Sequence, residues 1–124
     1  MNPLKEITDN EIIIKMQSPL LVREHTVEGN KDKYYLSYEE GFSKVLKKNT
    51  EYVIEKLNLN ISTDGFSITP VKAKKVVVSV FGRKVDGNLG IFKVTGNVDL
   101  LNFLYLSGLG SRRGEGKGKF EIIA

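Results

Sequence analysis

Cysteine is absent from the 124 residues, which removes disulfides, thiolate nucleophiles and thiolate metal sites together. Histidine occurs once, at His25, and with no second histidine and no clustered carboxylates a metal centre is not expected. No apolar run approaches the roughly 20 residues needed to cross a bilayer. Residues 1–10 mix Lys5 with Glu6 and Asp9 and lack an apolar stretch, so no secretory leader is expected. A cytoplasmic protein with no membrane partner is expected.

What remains is an ordinary globular balance, 40% apolar and 27% charged, in a length that suits one domain, 1–124, with a modest core. The net charge of +4 is unevenly placed. Residues 1–64 carry nine Lys or Arg against eleven Asp or Glu, and residues 65–124 carry ten against four. A basic half on a small domain suits a polyanion such as nucleic acid, or simply a soluble surface.

The element order follows from periodicity. Ile12, Ile14 and Met16 alternate with Ile13, Lys15 and Gln17, the period of a half-buried strand, and Leu20 and Val22 resume its face after a bend at Ser18-Pro19. Residues 24–36 read as a polar stretch with a turn at Gly29-Asn30. A capping box of Ser37 and Glu40 then predicts a helix to about Leu57, with Tyr38, Phe42, Val45, Leu46, Val53 and Leu57 at helical spacing. Residues 67–81 read as a long strand, apolar on both faces at Val76–Phe81 and so expected to be central. Asp86-Gly87 predicts a hairpin connection over residues 82–88, with a return strand over 89–95. Asn97 predicts the cap of a helix over 98–107, and a short strand closes the chain over 119–124. Strand, helix, strand, strand, helix, strand is the α+β, ferredoxin-like (RRM-like) βαββαβ order, a four-stranded antiparallel sheet with two helices on one face.

Between the second helix and the last strand stands Gly108-Leu109-Gly110-Ser111-Arg112-Arg113-Gly114-Glu115-Gly116-Lys117-Gly118. Glycine allows close backbone approach to an oxyanion, and arginine grips phosphate bidentately. Two nucleotide motifs are excluded. A P-loop around Gly118-Lys119 would need glycine where Arg113 stands and Ser or Thr where Phe120 stands. A dinucleotide fingerprint follows the first strand and opens a helix, whereas this loop follows a helix and opens the last strand.

The spacing Gly-apolar-Gly, five residues, Gly-x-Gly before the final strand resembles the signature of the CRISPR-repeat-processing endoribonucleases of the repeat-associated (RAMP) superfamily. Residues 14–23, with Ser18-Pro19 followed by apolar residues and Arg23, resemble the segment that opens that family's second domain. Tyr34-Tyr35-Leu36 before a helix bearing Phe42 is similar too. Two departures stand out. The family usually carries two ferredoxin-like domains and this chain resembles the second alone, and Lys117 occupies a place that is often apolar or aromatic.

The resemblance implies CRISPR RNA maturation by metal-independent cleavage, in which a 2′-hydroxyl attacks the adjacent phosphate. The implied partners are CRISPR repeat RNA, an N-terminal ferredoxin-like domain in cis or in trans, and a CRISPR effector complex. No cofactor is implied. The family's cleavage residues lie mainly in the first domain and have no matching positions here; His25 is a weak catalytic candidate, read otherwise as a solvated loop histidine. The expected RNA-binding residues are Gly108, Gly110, Ser111, Arg112, Arg113, Gly114, Gly116, Lys117 and Gly118 of the loop, Arg83 and Lys84 at the hairpin tip, and Lys72, Lys74 and Lys75. One or two of those three lysines could instead be charges that deter edge-to-edge aggregation. Tyr34, Tyr35 and Tyr38 could stack on bases, though core or rim packing is the simpler role for at least two of them. Two rival readings share these features: a non-catalytic RNA-binding subunit of a CRISPR ribonucleoprotein, and a ferredoxin-like ligand or oligomerisation module whose loop only packs at an interface.

Overall fold

A computed structural model describes residues 6–26, 31–111 and 116–124. Its elements in chain order are β1 (Glu11–Met16), β2 (Val22–Thr26), β3 (Lys31–Tyr35), α1 (Phe42–Lys56), β4 (Ser67–Val80), β5 (Arg83–Thr95), α2 (Val98–Ser107) and β6 (Phe120–Ile122). Four strands form one antiparallel sheet in the order β4-β5-β1-β6, and β2 pairs with β3 in a separate hairpin. The four-stranded order, with a helix between β1 and β4 and another between β5 and β6, is the ferredoxin-like α+β fold.

Alternation sets the faces. Ile12, Ile14 and Met16 of β1 are buried, as are their neighbours Phe92 and Val94 on β5, Ile68 on β4 and Phe120 on β6. Phe42, Val45, Leu46 and Ile54 of α1 and Leu100, Leu101 and Leu104 of α2 join the same cluster, so both helices cover one face of the sheet. Phe42 stacks on Phe92 with ring centroids 6.1 Å apart. Burial of each such side chain contributes about 1.5–3 kcal/mol. Asn97 caps α2 as the sequence predicts, its Oδ1 accepting from the Leu100 amide at 2.8 Å.

Four sequence expectations are corrected. First, α1 starts at Phe42, after Gly41, and not at a Ser37–Glu40 box. Glu39 folds back instead, its Oε1 accepting from the Leu36 amide at 2.8 Å, and Tyr38 is 78% exposed. Second, the polar stretch holds the β2–β3 hairpin, and the chain after Met16 leaves the sheet; Leu20 pairs with Asn88 in an isolated bridge. Third, β4 lies at the sheet edge and is not central. Fourth, the tight turn is Phe81-Gly82, with φ of 48° and 76°, and not Asp86-Gly87. Both values are positive, as a two-residue type I′ hairpin turn requires. Gly87 is a strand residue against which the side chains of Leu21 and Pro19 pack.

Because β1 pairs with β5 only from Ile91 to Thr95, the distal part of β4–β5 runs past the sheet as a two-stranded ribbon. The β2–β3 hairpin lies beside it. Asn88 joins the two: its Nδ2 donates to the carbonyls of Leu20 (3.1 Å) and Tyr35 (3.0 Å), and its Oδ1 accepts from the Ser37 amide (2.8 Å). Asn49 of α1 holds the other strand, donating to the Arg23 carbonyl and accepting from its amide.

Candidate nucleic-acid interface

The loop between α2 and β6 is sewn to residues 18–21. Gly108 closes α2, its amide donating a hydrogen bond to the Leu104 carbonyl, and the Leu109 amide donates to the Gly118 carbonyl. Ser111 donates to Leu21 at 2.8 Å, Gly118 donates to Pro19 at 2.9 Å, and the Lys119 amide donates to Ser18 Oγ at 2.9 Å. Two glycines are demanded by this seam. Gly110 (φ 76°) lies where a Cβ would overlap the Leu21 carbonyl oxygen, and Gly118 (φ 79°) where it would overlap that of Leu109. The space beside Gly116 is open, and Lys117 is half-buried. Arg112, Arg113 and Gly114 lie outside the described residues. The seam also accounts for the Ser18-Pro19 segment: that segment and the glycine loop, two of the stretches that carry the sequence resemblance, are parts of one joint, and Gly110 and Gly118 pack within the chain itself.

The lysines before the valine run divide between the two faces of β4. Lys72 is opposite Ile91, which is opposite Lys15, which is opposite Glu121. That row crosses the sheet on the face away from the helices, because opposed residues share a face. Lys74 is on the same face, as is Lys93, which pairs with Glu11 at 3.5 Å. Lys75 is on the other face and pairs with Asp86 at 3.5 Å. Lys15 and Lys93 thus extend the basic surface beyond the sequence-derived set. They alternate with Ile14, Phe92 and Val94, which line the helix-covered face. That the two lysines share a face with Lys72 and Lys74 is legible only once the register is known.

The third group is on the two hairpins. His25 is on a strand and not in a loop. Its Nδ1 is 2.6 Å from Asp32 Oδ1, and Arg23 Nη2 donates to the same oxygen at 3.2 Å. The His25 hydrogen bond, followed by Arg23, holds the Asp32 carboxyl below the usual aspartate range. Cross-strand pairing of Arg23 with Tyr34 and of His25 with Asp32 puts the two pairs beside one another on the hairpin. Tyr35 donates to Glu24 at 2.8 Å and carries Lys33 over its ring.

Asp32 and Tyr34 form one wall of a cleft of about 450 Å³ whose other wall is the ribbon end, Val80, Phe81, Arg83, Lys84, Val85 and Asp86. The structure therefore brings Arg83 and Lys84 together with the hairpin that carries His25. The glycine loop is elsewhere, since Leu21 at its seam is about 13 Å of extended strand from His25. The cleft-lining places of Asp32, Tyr34 and Phe81 are not evident from sequence, because the second hairpin is not. Among the described residues, no cluster of three His, Cys, Asp or Glu is placed to hold a metal ion, and no helix is long and apolar enough to cross a membrane.

The family model described as "CRISPR associated protein Cas6, C-terminal" matches residues 2–122. No curated protein matches. A solved structure described as "An RAMP protein binding different RNA substrates" is 26% identical with a TM-score of 0.83, covering 99% of this chain and 52% of that one. The product of a Cas6-related gene from Pyrococcus furiosus is 28% identical with a TM-score of 0.83, covering 98% and 51%. A third structure, described as "CRISPR associated protein Cas6", is 22% identical with a TM-score of 0.81 and supports the fold. The chain spans about half the length of these structures. It belongs to the Cas6 C-terminal family of CRISPR-associated proteins.

Proposed function

We propose that the chain binds CRISPR repeat RNA as the C-terminal half of a metal-independent pre-CRISPR-RNA endoribonuclease. The observation that carries this reading is the seam. Ser111 and Gly118, which flank the segment with Arg112 and Arg113, are each tied by an amide to the strand-connecting residues Leu21 and Pro19. Anchoring both ends of a basic segment lowers the entropy lost when it closes on phosphate. Arg83, Lys84, Lys72 and Lys74 add cationic surface that favours RNA without reading its sequence.

Cleavage by this chemistry needs a base for the 2′-hydroxyl, cations for the phosphorane and an acid for the leaving 5′-oxygen. One histidine, already hydrogen-bonded to Asp32, does not supply that set, so an N-terminal ferredoxin-like domain, in cis or in trans, would provide the rest. The sole histidine also favours the second reading, a non-catalytic RNA-binding subunit of a CRISPR ribonucleoprotein. Incubation of repeat RNA with the chain, alone and with an N-terminal partner domain, separates them. Metal-independent cleavage with the partner supports the endoribonuclease; tight binding without cleavage in either mixture supports the subunit. Absence of salt-sensitive RNA binding overturns both.

A further inference from the structure

His25 and Asp32 form a pair whose geometry fixes which ring nitrogen faces outward. Asp32 Oδ1 lies 2.6 Å from His25 Nδ1 and also accepts from Arg23 Nη2 at 3.2 Å. The His25 bond, and after it Arg23, hold the carboxyl in its ionised form, which can only accept. Nδ1 therefore carries the proton, and the neutral ring presents Nε2 as a bare acceptor. Among the described residues Nε2 has no partner, and the side chain is 43% exposed. Cross-strand partners share a face, so His25 and Arg23 stand on the hairpin face that carries Asp32 and Tyr34 and walls the cleft. Arg83 and Lys84 line the wall opposite.

We propose that His25 Nε2 accepts a hydrogen bond from a ribose 2′-hydroxyl of RNA lying along this cleft, so that the hairpin tells RNA from DNA. Phosphate oxygens have no proton to give to a bare acceptor. The 2′-hydroxyl has one, and it is the group that DNA lacks. Arg83 and Lys84 take the neighbouring phosphates from the facing wall, where they position the strand without reading its sequence. His25 is a specificity contact in this arrangement and needs no part in cleavage. The inference rests on the RNA-binding reading above and adds to it the residue that recognises the sugar, separate from the glycine loop.

A single-stranded RNA of mixed sequence and its fully 2′-fluoro form test this contact. Fluorine cannot donate a hydrogen bond but keeps an RNA-like sugar pucker, so the comparison isolates the hydroxyl proton from backbone shape. In mildly alkaline buffer the parent chain should bind the RNA more tightly than the 2′-fluoro strand. His25→Ala should shrink that preference about twofold to tenfold, the range for one neutral hydrogen bond. His25→Phe keeps a planar ring on the strand without an acceptor and should shrink it equally, which covers an alanine variant that unfolds. If the variants weaken both strands in equal proportion, His25 serves a phosphate or the hairpin itself, and the proposal is overturned. It is also overturned if they bind both strands as the parent does; in either case the RNA-binding reading stands. If the parent does not bind RNA, both fall.

Discussion

Asn88 and Leu20 exchange main-chain hydrogen bonds in both directions, at 2.8 and 3.0 Å, and the Asn88 side chain adds a third bond to the same Leu20 carbonyl. This is the point where the segment after β1, the ribbon and the end of β3 meet. Asn88 is buried, with its side-chain amide matched on both ends.

Replacing Asn88 with Ala leaves the Ser37 amide and the Tyr35 carbonyl without that partner. Each unsatisfied group costs about 1–3 kcal/mol, so Asn88→Ala should lose about 2–6 kcal/mol. Urea unfolding should show a lower midpoint at an unchanged m-value.

The loop glycines should not respond alike. Gly110→Ala and Gly118→Ala meet a backbone carbonyl as well as an unfavourable φ, so each should cost about 2–5 kcal/mol. Gly116→Ala meets open space and should cost only the conformational term, about 1–2 kcal/mol. Thermal denaturation of the three variants ranks them.

Acid should loosen the β2–β3 hairpin. The folded-state pKa of Asp32 is depressed, so its contribution is present above the unfolded value of about 3.9 and lost as pH falls through the lower folded value. Carboxyl NMR should place the Asp32 midpoint below that value, and His25→Ala, which removes the largest cause, should move it upward. Asp32→Asn should flatten the stability profile below about pH 4.

RNA affinity should report the two arginines through salt. If Arg112 and Arg113 each neutralise one phosphate, replacing either with Ala weakens binding across sequences. The slope of log K against log salt should then shrink by about 0.7–1 for each arginine removed. A titration from low to moderate salt measures it; an unchanged slope removes the arginines from the interface.

The periodic elements are legible from sequence: β1 from Ile12, Ile14 and Met16, α2 from Asn97 and its leucines, and the position of the glycine loop. The misreadings share a cause, which is that neighbours decide the outcome. Val76 to Phe81 looks central because both faces are apolar, yet the ribbon passes beyond β1 and Val77 is 58% exposed. Lys31 to Lys33 carries almost no apolar signal, since the hairpin is held by Asp32, His25 and Arg23 and by bonds to Asn49. Asp86-Gly87 has turn chemistry, but the small residue is there for Leu21 and Pro19. The seam is hidden from sequence for the same reason: Ser18 and Lys119 are 101 residues apart, and no local pattern links them.

That separation has a temporal consequence. The residues that clasp the glycine loop, at positions 18–21, are synthesised well before it, and Lys119 follows 101 residues after Ser18. A nascent chain would carry both arginines shortly before Gly118 and Lys119, whose amides tie the far end of the loop to Pro19 and Ser18. Long-range closure of this kind is slow relative to local folding, so the seam should close late, after the helices and the β4–β5 ribbon have formed.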